Sequence, residues 1–150
     1  MQSVREYGLK LLAKREHSVA EFSHKLRKKY PANLEEVAEI IKNFKENNWL
    51  SEARFCEAFI HDQILNTKSG PRKIVQKLIM KGIVEEFAKE KVAEFFPQKQ
   101  QLDLVQELAQ QKYAQIRQRG KVENEFEIQQ KVKQFLIGKG YGFETIKDIF

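Results

Sequence analysis

The chain has 150 residues, of which 41% are hydrophobic and 11 are Phe. That is enough apolar material for one ordinary core or a short array of smaller units. With 32% charged residues and only 7 Gly and 3 Pro, it is helical in flavour and short of loop formers, and its formal charge of +6 favours acidic or polyanionic partners. Cys56 is the single cysteine, which excludes an internal disulfide and a cysteine-rich zinc site. The opening MQSVREYGLKLLAKRE has neither the apolar core nor the cleavage site of a secretory signal. No segment approaches the roughly 18 apolar residues that cross a bilayer, so the expectation is a soluble, cytoplasmic monomer with no membrane partner.

Apolar residues recur at helical spacing almost throughout, without a run of strand-like alternation. Val4, Tyr7, Leu11 and Leu12 predict a first helix. Ser18-Val-Ala-Glu21 reads as a capping box, in which the Ser oxygen and the Glu carboxylate each satisfy a backbone N–H of the second helix. That helix carries Val19, Phe22 and Leu26 and stops at Pro31. A third, capped near Asn33, runs through Val37, Ile40, Ile41 and Phe44 to Asn47-Asn48. Trp49-Leu50 precedes a Ser51 cap and reads as a hydrophobic staple between one helical unit and the next. The helix after it passes through Phe55, Phe59 and Ile64.

Gly70-Pro71 opens the next helix, because proline at the first helical position has no N–H to lose, and Gly82 closes it in left-handed backbone. Further helices are predicted from about Val84 to Phe96, from about Lys99 to Arg119 and from Asn124 to Lys139. A short end follows Gly142, and Gly138-Lys-Gly-Tyr-Gly142 reads as a helix C-cap and turn.

Lys25-Leu26-x-x-Lys29, Lys77-Leu78-x-x-Lys81 and Phe135-Leu136-x-x-Lys139 share one frame, with the leucines 52 and 58 residues apart. Charge follows the same rhythm: net +5 over residues 1–30, −4 over 33–63, +5 over 64–82 and −3 over 83–107. Three related three-helix units account for this pattern, with boundaries at 1–48, 49–97 and 98–150. On a helical wheel Ile74, Val75, Leu78 and Ile79 form one face, with Lys73 opposite and Lys77 and Lys81 flanking. Phe22 and Leu26 repeat the construction, with His24 and Lys28 opposite. These helices bury one side and turn lysine outward.

Chemistry-bearing motifs are lacking. There is no G-x-x-x-x-G-K-[ST], no G-x-G-x-x-G after a strand, no G-x-S-x-G and no H-E-x-x-H. His17, Glu21 and His24 span a helix start that reads as a solvated helix end rather than a metal site. His61-Asp62 has no nucleophile on its face, and Cys56 reads as an inert core residue. The aromatic residues mostly fall at core positions, which argues against a stacking platform for single strands. No enzyme, cofactor or metal is expected.

Two stretches together resemble the RecX family, the small regulators of the RecA recombinase. Leu11-LAKREHSVAEFSHKLRKK-Tyr30 is similar to that family's first unit, and Trp49-LSEARFCEAFIHDQILNTKSGPRKIVQKLIMKG-Ile83 to its second. Arg54-Phe55, Gly70-Pro71-Arg72-Lys73 and Lys81-Gly82-Ile83 are the most specific matches, and Phe135-LIGKGYGFETIKDI-Phe150 is similar to the closing segment. His61, Gln63 and Asn66-Thr67 depart from the more basic family pattern, and Phe22 stands where leucine is usual.

The resemblance implies an all-α, elongated and curved array of three tandem three-helix units. It also implies a protein that lies in the groove of the RecA–single-stranded DNA filament and restrains filament extension, ATP hydrolysis, strand exchange and co-protease activity. The contact candidates are Arg15, Lys28, Arg54, Arg72, Lys73, Lys77 and Lys81. Each also has a plainer reading as a solvated cation. The alternative is a helical DNA-binding protein in which Arg72–Lys81 tracks phosphates, with affinity for bare DNA that falls steeply with salt. Whether binding follows RecA or nucleic acid separates the two readings.

Overall fold

The computed structural model describes residues 2–120 and 124–150. Among them there is no strand. The helices are α1 (Val4–Lys14), α2 (Val19–Lys29), α3 (Leu34–Glu46), α4 (Glu52–Asp62), α5 (Pro71–Met80), α6 (Glu85–Phe95), α7 (Gln98–Gln118), α8 (Glu125–Gly138) and the single turn α9 (Phe143–Ile146). The fold is an all-α helical repeat.

Ser3, Ser18 and Asn124 cap α1, α2 and α8 by accepting the N–H of the residue three positions on, and Ser51 does the same for α4 at 3.2 Å. These small oxygen-bearing side chains take up donors that a helix start leaves orphaned. Asn33 makes no such side-chain bond to α3.

Packing divides the chain into two compact units. One is Met1–Phe59 with Lys77–Lys91; the other is Ile60–Gln76 with Val92–Phe150. In the first, α1, α2 and α3 enclose Val4, Leu11, Phe22, Leu26, Val37, Ile40 and Phe44. Gly8 lets α1 approach closely, since a Cβ there would lie 3.1 Å from both the Phe22 and Phe44 rings. In the second unit the core includes Ile60, Ile74, Phe96, Val105, Val132, Leu136, Tyr141 and Ile146. The three leucines of the sequence frame, Leu26, Leu78 and Leu136, all have 0% exposure. The repeated letter is a repeated core position.

Three helices end in one device. After α3, α5 and α8 the N–H of Trp49, Ile83 and Tyr141 reaches back to the carbonyls of Phe44, Leu78 and Leu136. The preceding Asn48, Gly82 and Gly140 have φ of 59°, 89° and 101°. They donate to Lys45, Ile79 and Ile137 in turn. This pairing of a 6→1 and a 5→2 bond is the Schellman exit, and its left-handed residue explains the glycines.

Trp49 belongs to that exit. Its ring meets Phe44 at 5.3 Å, edge to face, and it stays 43% exposed. The contact runs from the residue past the exit back to the last turn, so Trp49 seals the end of α3, while Leu50, the residue before the Ser51 cap, is buried.

Two further expectations are revised. Ile79 is 41% exposed, because the buried stripe of α5 is the narrow Ile74–Leu78 line and Ile79 lies at its edge. Lys73 is half-buried rather than facing solvent, since the Gly140 backbone crosses against its stem. The helix through Ile64 does not simply stop, either. It widens into a π-helical turn at Gln63–Thr67 and ends at Lys68 with φ 52°.

Candidate functional site

The exits of α5 and α8 each close onto the start of another helix. In the first unit the Ser18 hydroxyl donates to the Lys81 carbonyl at 2.7 Å while accepting the Glu21 N–H at 3.0 Å. Gly82 sits so near α2 that a Cβ on it would lie 2.3 Å from the Ala20 Cβ. In the second unit the Gly70 N–H donates to the Lys139 carbonyl at 2.7 Å, and the Arg72 N–H to the Gly140 carbonyl at 3.0 Å. Ser18 and Gly70 are 52 residues apart, and Lys81 and Lys139 are 58 apart, the same offsets as the leucine frame. The repeat is therefore one of joints as well as of core positions.

Basic side chains gather at the first joint. Arg15 leaves α1 in extended backbone and bonds both oxygens of Glu21 at 2.9 Å. Lys81 approaches the same carboxylate at 3.8 Å. The Arg15 fork holds the Glu21 carboxyl below the usual carboxylate range and raises its own pKa in return. Arg54 Nε bonds Glu16 at 2.9 Å, and its outer nitrogen bonds the Trp49 carbonyl at 3.1 Å. Arg15, Arg54 and Lys81 thus surround the acid pair Glu16 and Glu21. Arg15 is 51% exposed, so its pair with Glu21 positions more than it stabilises, at about 0.5–1 kcal/mol.

The capping box is half formed: the Ser18 hydroxyl accepts the Glu21 N–H, but the Glu21 carboxylate turns to Arg15 rather than back to the cap. The Val19 N–H, another orphan donor of this helix start, finds Glu52 at 2.6 Å. His17 is also revised. It is 1% exposed, not a solvated end. Its Nδ1–H donates to the Arg15 carbonyl at 3.0 Å and Nε2 accepts from Lys25 at 2.9 Å. That arrangement suits a neutral ring, and burial pushes its pKa down, reinforced by the Lys25 and Arg15 charges.

Stability of this joint is expected to be acid-sensitive. His17 takes up a proton more readily in the unfolded chain, near 6.5, than in the folded one. Its contribution is present above that pH and is lost as pH falls below it. The depressed Glu21 adds a loss at lower pH, below its ordinary 4.5. Urea midpoints should fall between about pH 7.5 and about pH 5.5, and less so for His17→Gln. Equal slopes in the two proteins would remove His17 from the account.

The other candidates lie elsewhere. Lys28 is exposed, two turns along α2 from Glu21 and on the same stripe. Lys77 is half-buried, one turn before Lys81. Arg72 and Lys73 belong to the second unit, at its joint with Gly140. Neither Glu16 nor Glu21 was among the contact candidates, and Glu21 entered the sequence reading as a helix-start residue rather than as an anchor for Arg15. The Glu16–Arg54 pair spans 38 residues, beyond any local spacing signal.

Cys56 is fully buried with its thiol pushed up to about 11, which leaves it unreactive at neutral pH. Among the described residues no group of three or more His, Cys, Asp or Glu could hold a metal ion, and no helix is long and apolar enough to cross a membrane.

Two sequence models of one family match consecutive segments of the chain. Residues 51–91 match the second three-helix domain of RecX and residues 99–150 the third, together more than half of the length. The chain belongs to the RecX family.

Among RecX relatives, the regulatory protein RecX of Oceanobacillus iheyensis is 32% identical over 130 residues, spanning 87% of this chain and 46% of that protein. The RecX of Streptococcus pneumoniae strain CGSP14 is 27% identical over 144 residues, spanning 96% and 52%. The chain thus covers about half the length of these relatives. The crystal structure of RecX from Lactobacillus salivarius superposes with a TM-score of 0.85 at 21% identity, over 97% of this chain and 91% of that one, a likeness of fold. In RecX terms the joint glycines fall in both matched domains, Gly82 in the second and Gly140 in the third.

Proposed function

We propose that this chain is a negative regulator of RecA. It binds along the groove of the RecA–single-stranded DNA filament and restrains filament extension, ATP hydrolysis, strand exchange and co-protease activity. Family membership is the observation that carries this reading, since the relatives are regulatory proteins named RecX. The joint in the first unit supports it, because Arg15, Arg54 and Lys81 are held there with exposed cationic surface. Preorganised cations suit a partner bearing phosphates or carboxylates.

The three tandem units 1–48, 49–97 and 98–150 are proposed as the repeats that follow the groove. Arg15, Lys28, Arg54, Arg72, Lys73, Lys77 and Lys81 are proposed as contacts to RecA and to the DNA it carries. Restraint of a filament needs no chemistry from this chain.

RecA's hydrolysis of ATP on single-stranded DNA, with this protein well below stoichiometric, tests the reading. A clear fall with weak binding to bare DNA supports it. No effect, together with tight and salt-sensitive binding to bare DNA, would make the chain a DNA-binding protein instead. Lys28→Glu combined with Lys81→Glu should leave the fold intact, since both side chains are exposed. The concentration for half-inhibition should rise about tenfold, equivalent to about 1.4 kcal/mol. Unchanged inhibition by the folded double variant would remove these lysines from the interface.

A further inference from the structure

The second unit carries a groove unlike the basic surfaces. It has a volume of about 640 Å³ and lies between the π-helical turn Gln63–Thr67 and α7. Ile64, Leu65 and Leu104 supply its apolar lining, with Lys68, Asp103 and Glu107 at its polar positions. His61 closes one end, with its ring edge on Phe95 at 5.6 Å.

Leu65 is 77% exposed, although the chain around it is firmly held. The Thr67 hydroxyl bonds the Gln63 carbonyl at 2.8 Å and the Ser69 hydroxyl at 2.7 Å. Lys139 donates to the Thr67 carbonyl, and the buried Tyr141 hydroxyl donates to the Lys68 carbonyl at 2.8 Å. Gln63 and Ile64, the two residues before Leu65, are buried. A π-helical turn spaces its side chains differently from an α-helix and is often found where function requires it. Here a rigid segment holds a leucine out in water, where it gains nothing from burial.

The rim has a definite charge. Lys68 pairs with Glu107 at 2.9 Å and neutralises it. Asp103, exposed and four residues before Glu107 on the same face of α7, makes no ion pair among the described residues. An uncompensated carboxylate repels phosphate and attracts a cation. The groove's chemistry is opposite to that of the lysine-bearing surfaces.

We propose that this groove docks an apolar protein segment that carries a Lys or Arg side chain: the apolar part packs on Leu65 and Leu104, and the cation meets Asp103. The inference rests on the regulatory reading above, and the partner is a subunit of the RecA filament. Asp103 disfavours phosphate at this face, so on this proposal protein contact and nucleic-acid contact use separate surfaces.

Leu65→Ala and Asp103→Lys test the proposal, both at exposed positions where folding is expected to survive. Inhibition of RecA's DNA-dependent ATP hydrolysis and binding to bare single-stranded DNA are measured for each, with circular dichroism to establish folding. Either variant should need about fivefold more protein for half-inhibition, the scale of losing one interface anchor. Leu65→Ala should bind bare DNA as the parent chain does. The Asp103→Lys result separates the partners by sign. A surface that met DNA would bind more tightly with the added positive charge, and a gain in inhibition would therefore overturn the proposal.

Unchanged inhibition by both folded variants would overturn it as well. So would a change in oligomeric state with Leu65→Ala on sedimentation, which would make the groove a self-association face. Failure of the parent chain itself to bind or inhibit RecA would be a distinct result, removing the regulatory reading and this inference with it.

Discussion

Gly70→Ala is expected to lower the unfolding free energy by about 3 kcal/mol, the sum of local overpacking and weakened backbone hydrogen bonds. A Cβ on Gly70 would stand 2.3 Å from the Gly140 carbonyl carbon and 2.4 Å from the Tyr141 nitrogen. Both are backbone atoms, so no side-chain rotation relieves the clash. The exit of α8 must retreat, lengthening the bond from the Gly70 N–H to the Lys139 carbonyl and from the Arg72 N–H to the Gly140 carbonyl.

Gly138→Ala is the control. A Cβ there meets nothing within 4 Å, and alanine favours the last turn of α8 by about 0.5–1 kcal/mol. Urea denaturation of both variants checks the pair. Equal midpoints for Gly70→Ala and the parent chain would show that the two backbones do not meet as closely as described.

Phe44→Ala carries the other large effect, about 3–5 kcal/mol, the range for truncating a buried aromatic. Phe44 is fully buried and its ring lies 5.8 Å from Phe22 and 5.3 Å from Trp49. The Arg5 guanidinium stands 5.3 Å from the centre of the Phe44 ring, and Gly8 faces one edge. Because α1 approaches through a glycine, that side of the vacated space has no side chain to fill it, and only Trp49 and Arg5 at the outer edge could move inward. A loss below about 1 kcal/mol in the denaturation midpoint would mean that the three helices collapse freely onto the gap.

On the proposed function either variant would also weaken inhibition, since a loosened joint or core lets the cations it positions drift. Weaker inhibition by these two variants would follow from lost structure. Weaker inhibition by the exposed-site variants would follow from lost contact, so the two sets are best read side by side.

Much of the fold was legible in the chain because its signals are local. Helix period, Ser18 and Ser51 caps, Pro71 at a helix start and the glycines at 82 and 140 all act within a few residues of themselves. The leucine frame was legible too, because a position fully buried in each repeat tolerates little else, and Leu26, Leu78 and Leu136 are all enclosed. Ile79 misled, since a helical wheel gives angles but not the width of the surface that will cover them. His17 misled for a related reason: its polar character suggested water, and only packing against Phe22, with partners from the Arg15 backbone and Lys25, made burial affordable.

By itself, then, the sequence determined an all-helical repeat of the RecX type, the order of its helices and the recurring lysines that motivate a polyanionic partner. Tertiary structure decided which of those cations are engaged, that Glu16 and Glu21 hold Arg54 and Arg15, and that Leu65 stands exposed beside Asp103. The physical reason is range. A cap or a left-handed glycine answers to its neighbours in the chain, whereas an ion pair across 38 residues or a backbone hydrogen bond across 69 exists only after distant segments have packed.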